Sequence, residues 1–177
     1  MIDLQAAAFH ICQLQARYAD ALWHKDPKTF GDLFAEDAVW KIGGMTLRGR
    51  EEIRETFARY MVHVGRTLMT FRTPIVDVVD GVLTSRTYVT ESNKFADGQT
   101  AETVGIYYER FAQEDGCWRF AYRHWNMYYI GPPGLTATFY DVREYGPPPG
   151  FPGPDDPTTV RKDYLFTNAE GKPTATP

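Results

Sequence analysis

Apolar side chains at Leu4, Ala8, Ile11, Leu14, Tyr18 and Leu22 recur every three to four residues, which predicts a long amphipathic first helix ending near His24. Asp26 and Pro27 then restart the chain. Aspartate accepts the free N–H groups of a helix start and proline fits the first helical turn, so a short second helix carries Phe30, Leu33 and Phe34 inward. Residues 38–42 read as a strand, which Gly43-Gly44 turns back into a hairpin through Met45 to Arg48. A third helix begins at about Arg50, with Ile53, Phe57, Tyr60, Met61 and Val64 as its stripe and Glu51 and Glu52 at the positive end of its dipole. From Thr67 the period drops to two, and Asp80-Gly81, Asp97-Gly98 and Asp115-Gly116 each supply a hairpin turn. Four antiparallel strands follow, over about 67–79, 82–95, 101–112 and 117–130, with Pro74 marking an edge or bulge in the first because proline cannot donate to a ladder.

This order places the helices on one face of a curled sheet. The fold class is α+β: a cone-shaped, curved antiparallel sheet wrapped on N-terminal helices and enclosing an internal pocket. Beyond Gly131 the composition changes, since ten of the twelve prolines lie between Pro132 and Pro177. Residues 1–130 therefore form the domain. Residues 131–177 form an irregular or extended tail that packs on the domain or lids its mouth, anchored by Phe139, Tyr140, Tyr145, Phe151, Tyr164 and Phe166 and disordered after about Thr167.

Composition narrows the function. A chain of 177 residues buries roughly 70% of its unfolded surface and needs no staples, so Cys12 and Cys117 read as two free, buried thiols suited to a reducing cytoplasm. No run approaches the ~20 apolar residues of a membrane span. The net charge of −4, with 19 Lys and Arg scattered singly, excludes a phosphate-binding stripe and makes nucleic acid an unlikely partner. Four scattered histidines and two distant cysteines offer no metal-ligand spacing, and no phosphate loop, dinucleotide fingerprint or serine elbow is present, so neither metal nor cofactor is expected. The aromatic content of 15% exceeds what a small core demands and points to an aromatic-walled pocket or an oligomer interface.

The stretch Tyr18-Ala19-Asp20-Ala21-Leu22, then Asp26, then 33–40 (Leu-Phe-Ala-Glu-Asp-Ala-Val-Trp) and 49–53 (Gly-Arg-Glu-Glu-Ile) closely resembles the SnoaL-like proteins of the nuclear transport factor 2-like superfamily. Gly116-Cys117-Trp118-Arg119-Phe120 resembles the last-strand signature of scytalone dehydratase and hexachlorocyclohexane dehydrochlorinase. The resemblance covers roughly residues 4–130. It implies the cone fold, self-association through the outer sheet face as a homodimer or larger homo-oligomer, and reactions ranging from dehydration and isomerisation to plain ligand binding. In the dehydratase branch it implies an Asp at the end of the first helix and a His on the third strand. Those positions fall on Trp23 and Met69, neither of which exchanges a proton at neutral pH, while a one-residue slip brings His24 to the helix position. The arginine of the dehydrochlorinase last strand matches Arg123.

Because side chains alternate across a strand, Met69 and Arg123 inside the cone bring Phe71 and Trp125 inside with them. The same matching selects Arg86, Tyr88, Thr90 and Ser92 on the fourth strand and Glu102, Val104 and Ile106 on the fifth. Tyr18 and Trp40 belong to the core or pocket wall, and His10 and His63 to the surface or helix packing. His124, next to Arg123, faces the opposite way and takes a structural or interface role if it points out. In this register Glu102 is the base, Tyr88 donates to a carbonyl, Arg123 stabilises an enolate and His24 pairs with Asp20; the competing reading of Glu102 is an ion pair with Arg86 or Arg123. The function expected is a cofactor-independent lyase or isomerase acting on a small hydrophobic cyclic or aromatic oxygenated molecule. A noncatalytic binding protein and the small subunit of a ring-hydroxylating oxygenase are its rivals.

Overall fold

The computed structural model describes residues 2–160. Helix α1 spans Leu4–His24, with the Asp3 carboxylate accepting from the backbone N–H groups of Gln5 and Ala6 at 2.9 and 3.2 Å. Helix α2, Pro27–Asp32, is capped in the same way by Asp26, whose side chain accepts from Lys28 and Thr29. Strands β1 (Phe34–Ile42) and β2 (Met45–Arg48) form the first hairpin and helix α3 covers Arg50–Met61. Five strands follow: β3 (Val64–Phe71), β4 (Ile75–Val79), β5 (Val82–Phe95), β6 (Thr100–Glu114) and β7 (Cys117–Gly131).

Where one strand is expected over 67–79 there are two. The chain leaves the ladder at Arg72–Pro74, and β3 and β4 pair in turn with successive parts of β5. Proline supplies the reason, lacking the N–H that would continue the pairing. The turns Asp80-Gly81 and Asp115-Gly116 have positive φ at both positions, 51° and 79° in one and 51° and 75° in the other, the twist that a two-residue hairpin requires.

The strands form one curved, unclosed sheet in the order β2-β1-β7-β6-β5-β3, antiparallel throughout except for the parallel pairing of β1 with β7. The three helices fill its concave face. Tyr18 stands at the centre of that core, with the rings of Phe30, Phe34, Trp40, Phe71, Tyr107 and Phe120 within 4.7–6.4 Å, and Phe30 stacks on Phe57 at 3.8 Å. The segment after β7 runs over the convex face, where Tyr145 and Phe151 pack edge-on against Tyr108, and reaches the cavity at Thr159 and Val160. Tyr164, Phe166 and everything after Thr167 lie outside the described residues. Cys12 and Cys117 are both exposed, contrary to the buried thiols expected, since each falls on an outward position of its element. Among the described residues no helix is long and apolar enough to cross a membrane.

A candidate active site between the helices and the sheet

β5 alternates so that Ser85, Thr87, Val89, Glu91 and Asn93 turn to the concave face, and the β5–β6 register sets Thr103, Tyr107 and Glu109 beside them. Together with Tyr18 and Leu22 of α1, Trp40 of β1, Phe57 and Met61 of α3 and Trp125 and Met127 of β7, these strands enclose a cavity of about 720 Å³. Exposed members of its lining, among them Met45, Tyr60, His63, Asp97 and Val160, mark its mouth.

A connected group of polar side chains in the cavity lies on the wall formed by β3, β5 and β6. The Thr67 hydroxyl donates to Asn93 Oδ1 at 2.7 Å, and Asn93 Nδ2 donates to Thr103 Oγ1 at 3.1 Å and reaches Glu91 Oε2 at 3.4 Å. Burial raises the Glu91 carboxyl to about 7, against the smaller opposing pulls of the Asn93 amide, the Arg123 charge and Thr103. A carboxyl there is half ionised near neutrality. No Lys or Arg side chain lines the cavity among the described residues, so Glu91 has no cation in direct contact to hold it ionised.

Beneath this wall lies a closed ion pair. Arg123 and Glu109 are fully buried, with Arg123 Nε and Nη2 each 2.9 Å from Glu109 Oε1. The second Glu109 oxygen accepts from Gln15 Nε2 at 2.8 Å and Ser85 Oγ at 2.6 Å. Gln15 and Ser85 meet the remaining valences of the Glu109 carboxylate, while Arg123 Nη1 has no hydrogen-bond partner and the guanidinium is covered instead by aromatic rings. The guanidinium lies 3.7 Å from the centre of the Tyr107 ring and 4.2 Å from that of Tyr18, so those two phenols separate it from the cavity. Burial raises both phenols, Arg123 partly opposes the rise, and the two hydroxyls are hydrogen-bonded to each other. Both therefore stay protonated, and Tyr18, which lines the cavity, carries a proton that a ligand oxygen can accept. Among the described residues no three His, Cys, Asp or Glu side chains gather into a metal-binding group.

A curved sheet packed on helices, with this cavity between them, matches the SnoaL-like domain over residues 7–124. The chain belongs to the SnoaL-like family. No curated protein matches it in sequence. Among solved structures, a Mycobacterium tuberculosis protein of unknown function is 27% identical, with a TM-score of 0.63 over 70% of this chain and 77% of that one. A scytalone dehydratase candidate from Novosphingobium aromaticivorans is 19% identical, with a TM-score of 0.67 over 78% and 91% of the two chains. Hexachlorocyclohexane dehydrochlorinase of type 3 from Novosphingobium barchaimii is 15% identical, with a TM-score of 0.65 over 78% and 97%.

In this SnoaL-like domain Tyr18, Trp40, Met69 and Trp125 lie on the cavity wall. Phe71 sits behind it, edge-on to Tyr18 at 5.9 Å. The helix-end residues fall outside: Trp23 is 41% exposed beneath the Arg66 guanidinium, and the His24 ring bonds the Asp20 carbonyl at 2.9 Å in solvent. His24 therefore cannot reach a ligand in the cavity. The assignments on β5 and β6 are displaced by one residue, which turns Arg86, Tyr88, Ser92, Glu102, Val104 and Ile106 to the convex face. There Arg86 donates to the carbonyls of Gly146 and Gly150, Tyr88 is exposed, and the Glu102 carboxylate accepts from the Gly134 N–H at 2.9 Å. Arg123 does point inward, but Glu109 and the two tyrosines seal it from any substrate oxygen, so a direct enolate contact is ruled out by packing. The one-residue shift exposes what the sequence reading missed: Glu91, which pairs directly with Met69 on β3, and Asn93 beside it.

Proposed function

We propose that this protein is a cofactor-independent lyase or isomerase in which Glu91 moves a proton on a compact, hydrophobic, oxygenated ring substrate. The observation that carries the reading is the Glu91 carboxyl, held at about 7 on the wall of an otherwise aromatic and methionine-rich cavity. A base with that affinity for protons is matched to proton abstraction near neutral pH. Glu91 takes the proton from a carbon next to a carbonyl. The oxygen that gains charge receives the Tyr18 O–H, which is hydrogen-bonded to Tyr107, and the Arg123 charge beneath both rings favours the anion from a distance. Return of the proton to another carbon completes an isomerisation; its delivery to a departing hydroxyl completes a dehydration. Asn93 and Thr103 orient the carboxyl.

Glu91→Gln keeps the shape and removes the base, so turnover should fall by about 100-fold or more while ligand affinity stays within about tenfold. Full turnover in that variant would sink the assignment. One observation favours a second reading, a noncatalytic small-molecule binder: the positions the family resemblance assigns to an Asp/His dyad hold an outward-facing Trp23 and an apolar Met69. A ligand recovered chemically unchanged after incubation across pH 5 to 9 would establish it.

A further inference from the structure

The SnoaL-like match ends at residue 124, yet the cavity lining includes Thr159 and Val160, from a segment outside the matched domain. That segment reaches the mouth along a fixed path. Arg86 donates to the carbonyls of Gly146 and Gly150 at 2.7 and 2.8 Å, and Asn126 Nδ2 donates to the Arg143 carbonyl at 3.3 Å. Next, Lys41, an inward-opposed residue of β1 whose side chain is almost completely buried, donates its ammonium to the carbonyls of Pro154, at 2.8 Å, and Asp156. Finally the chain passes between the Gly43-Gly44 turn and β7: the Gly44 N–H donates to Thr158 Oγ1 at 2.8 Å, and the Met127 N–H donates to Thr159 Oγ1 at 3.1 Å. Val160 is thereby set against Gly44, where a Cβ on the glycine would lie 2.8 Å from Val160 Cγ2.

Two features separate this arrangement from a tail that merely covers the sheet. Thr158 is buried while Val160, two residues on, is 56% exposed and still lines the cavity, so the segment is anchored beside the mouth and places Val160 on its rim. Further, the buried Lys41 has its charge met by two backbone carbonyls of one turn, a contact that exists only when residues 154–156 are docked. An ammonium buried without partners costs several kcal/mol, so Lys41 couples the position of the rim to the stability of β1.

From this geometry we infer that the C-terminal extension is a working part of the ligand site: Val160 is a specificity-determining residue that sets the width of the cavity mouth, and Lys41 is the positioning residue that holds it there. The inference rests on the cavity being the ligand site but needs no turnover. It assigns the extension control over the size of molecule admitted and over the rate of its exchange, while the polar wall around Glu91 sets the chemistry.

The test uses the full-length protein and N-phenyl-1-naphthylamine, an uncharged fluorophore suited to a cavity without a basic side chain, with association and release followed by stopped flow. Val160 is exposed enough that its substitution spares the fold. Val160→Gly should speed release and Val160→Phe should slow entry and release, each by about threefold or more, because narrowing or widening a mouth acts on both rates. Lys41→Met, of similar length but without the ammonium, should speed release to the same degree at a temperature well below its unfolding. A purely structural Lys41 would lower Tm and leave the rates alone. Rates in the Val160 variants that differ from the parent by less than threefold, or that move in the same direction, overturn the proposal, as would a parent protein that takes up no probe. Since only binding is read, such a failure leaves the Glu91 assignment to stand or fall on its own turnover measurement.

Discussion

At Glu91 the chemistry proposed for the site and the stability of the fold are tied together. Its carboxyl titrates at about 7 in the folded protein against an ordinary value of 4.5. Between those two values the folded chain holds a proton that the unfolded chain has released, so stability falls as pH rises through this window. Glu91→Gln, which cannot ionise, should remove that slope: its Tm should lie near that of the parent at pH 4.5 and above it at pH 8, as thermal melts across pH would show. Equal pH profiles for the two proteins would mean that Glu91 is not buried as described. This residue was hard to read from sequence because β5 presents Ser85, Thr87, Glu91 and Asn93 to the inside and Tyr88 to the outside, the reverse of ordinary hydrophobic alternation. The inward side chains are polar because they serve Glu109, Gln15 and the cavity. Arg123, by contrast, was legible from its match to the dehydrochlorinase strand. It also carried unused information: a buried guanidinium demands a buried acid, and Glu109, one place from where an unbroken count through the Asp115-Gly116 turn lands, is the acid across from it. Taking Glu109 as inward would have turned Glu102 outward.

Among the elements, β7 shows why the phase of its neighbour β6, and of β5 beyond it, does not follow from counting through the hairpin turns. It carries irregularities between Phe120 and Tyr122 and between Met127 and Tyr129, each setting an extra residue of β7 against an unbroken β6. Its inward residues therefore do not keep a single period, and a phase carried from β7 to its neighbours by alternation alone does not survive. The helices and hairpin turns, by contrast, were legible, because Asp26-Pro27 and the three Asp-Gly pairs act locally and depend on no partner. Gly105 shows what the irregular strand requires of the neighbour it packs on. A Cβ there would run into the Trp125 indole and lie 2.5 Å from the Asn126 carbonyl oxygen. Gly105→Ala should cost about 1–3 kcal/mol in urea unfolding and shift the wall beneath the cavity. An unchanged midpoint would show that β7 yields more readily than its packing implies.

Across the whole molecule, the sheet carries a different load on each face. The concave side holds the helices and cavity; the convex side holds the extension, under which His124 bonds Asn126 at 3.1 Å and Tyr122 at 3.3 Å. Burial lowers His124 to about 4, with Lys41 pushing the same way and Asn126 and Asp156 opposing. The unfolded chain thus binds a proton that the folded chain refuses between pH 6.5 and 4, and stability should drop as pH falls through that range. In His124→Gln the drop should be shallower, measured as Tm at pH 7 minus Tm at pH 4.5; an equal drop would assign acid sensitivity elsewhere. The extension was visible in sequence as a change in composition and in its aromatic anchors Tyr145 and Phe151, but its path to the mouth was not, because that path is fixed by backbone carbonyls and by the isolated hydroxyls of Thr158 and Thr159.

The passage of Thr158 between the Gly43-Gly44 turn and Met127 has a consequence for how the protein is made. Synthesis runs from one end of the chain to the other, so every strand of the sheet leaves the ribosome ahead of residue 158. The sheet and helices can settle around the cavity first, with its rim still open. The last described residues to emerge then finish the opening, so a nascent chain can hold a nearly complete interior yet lack the entrance that would let it choose among ligands.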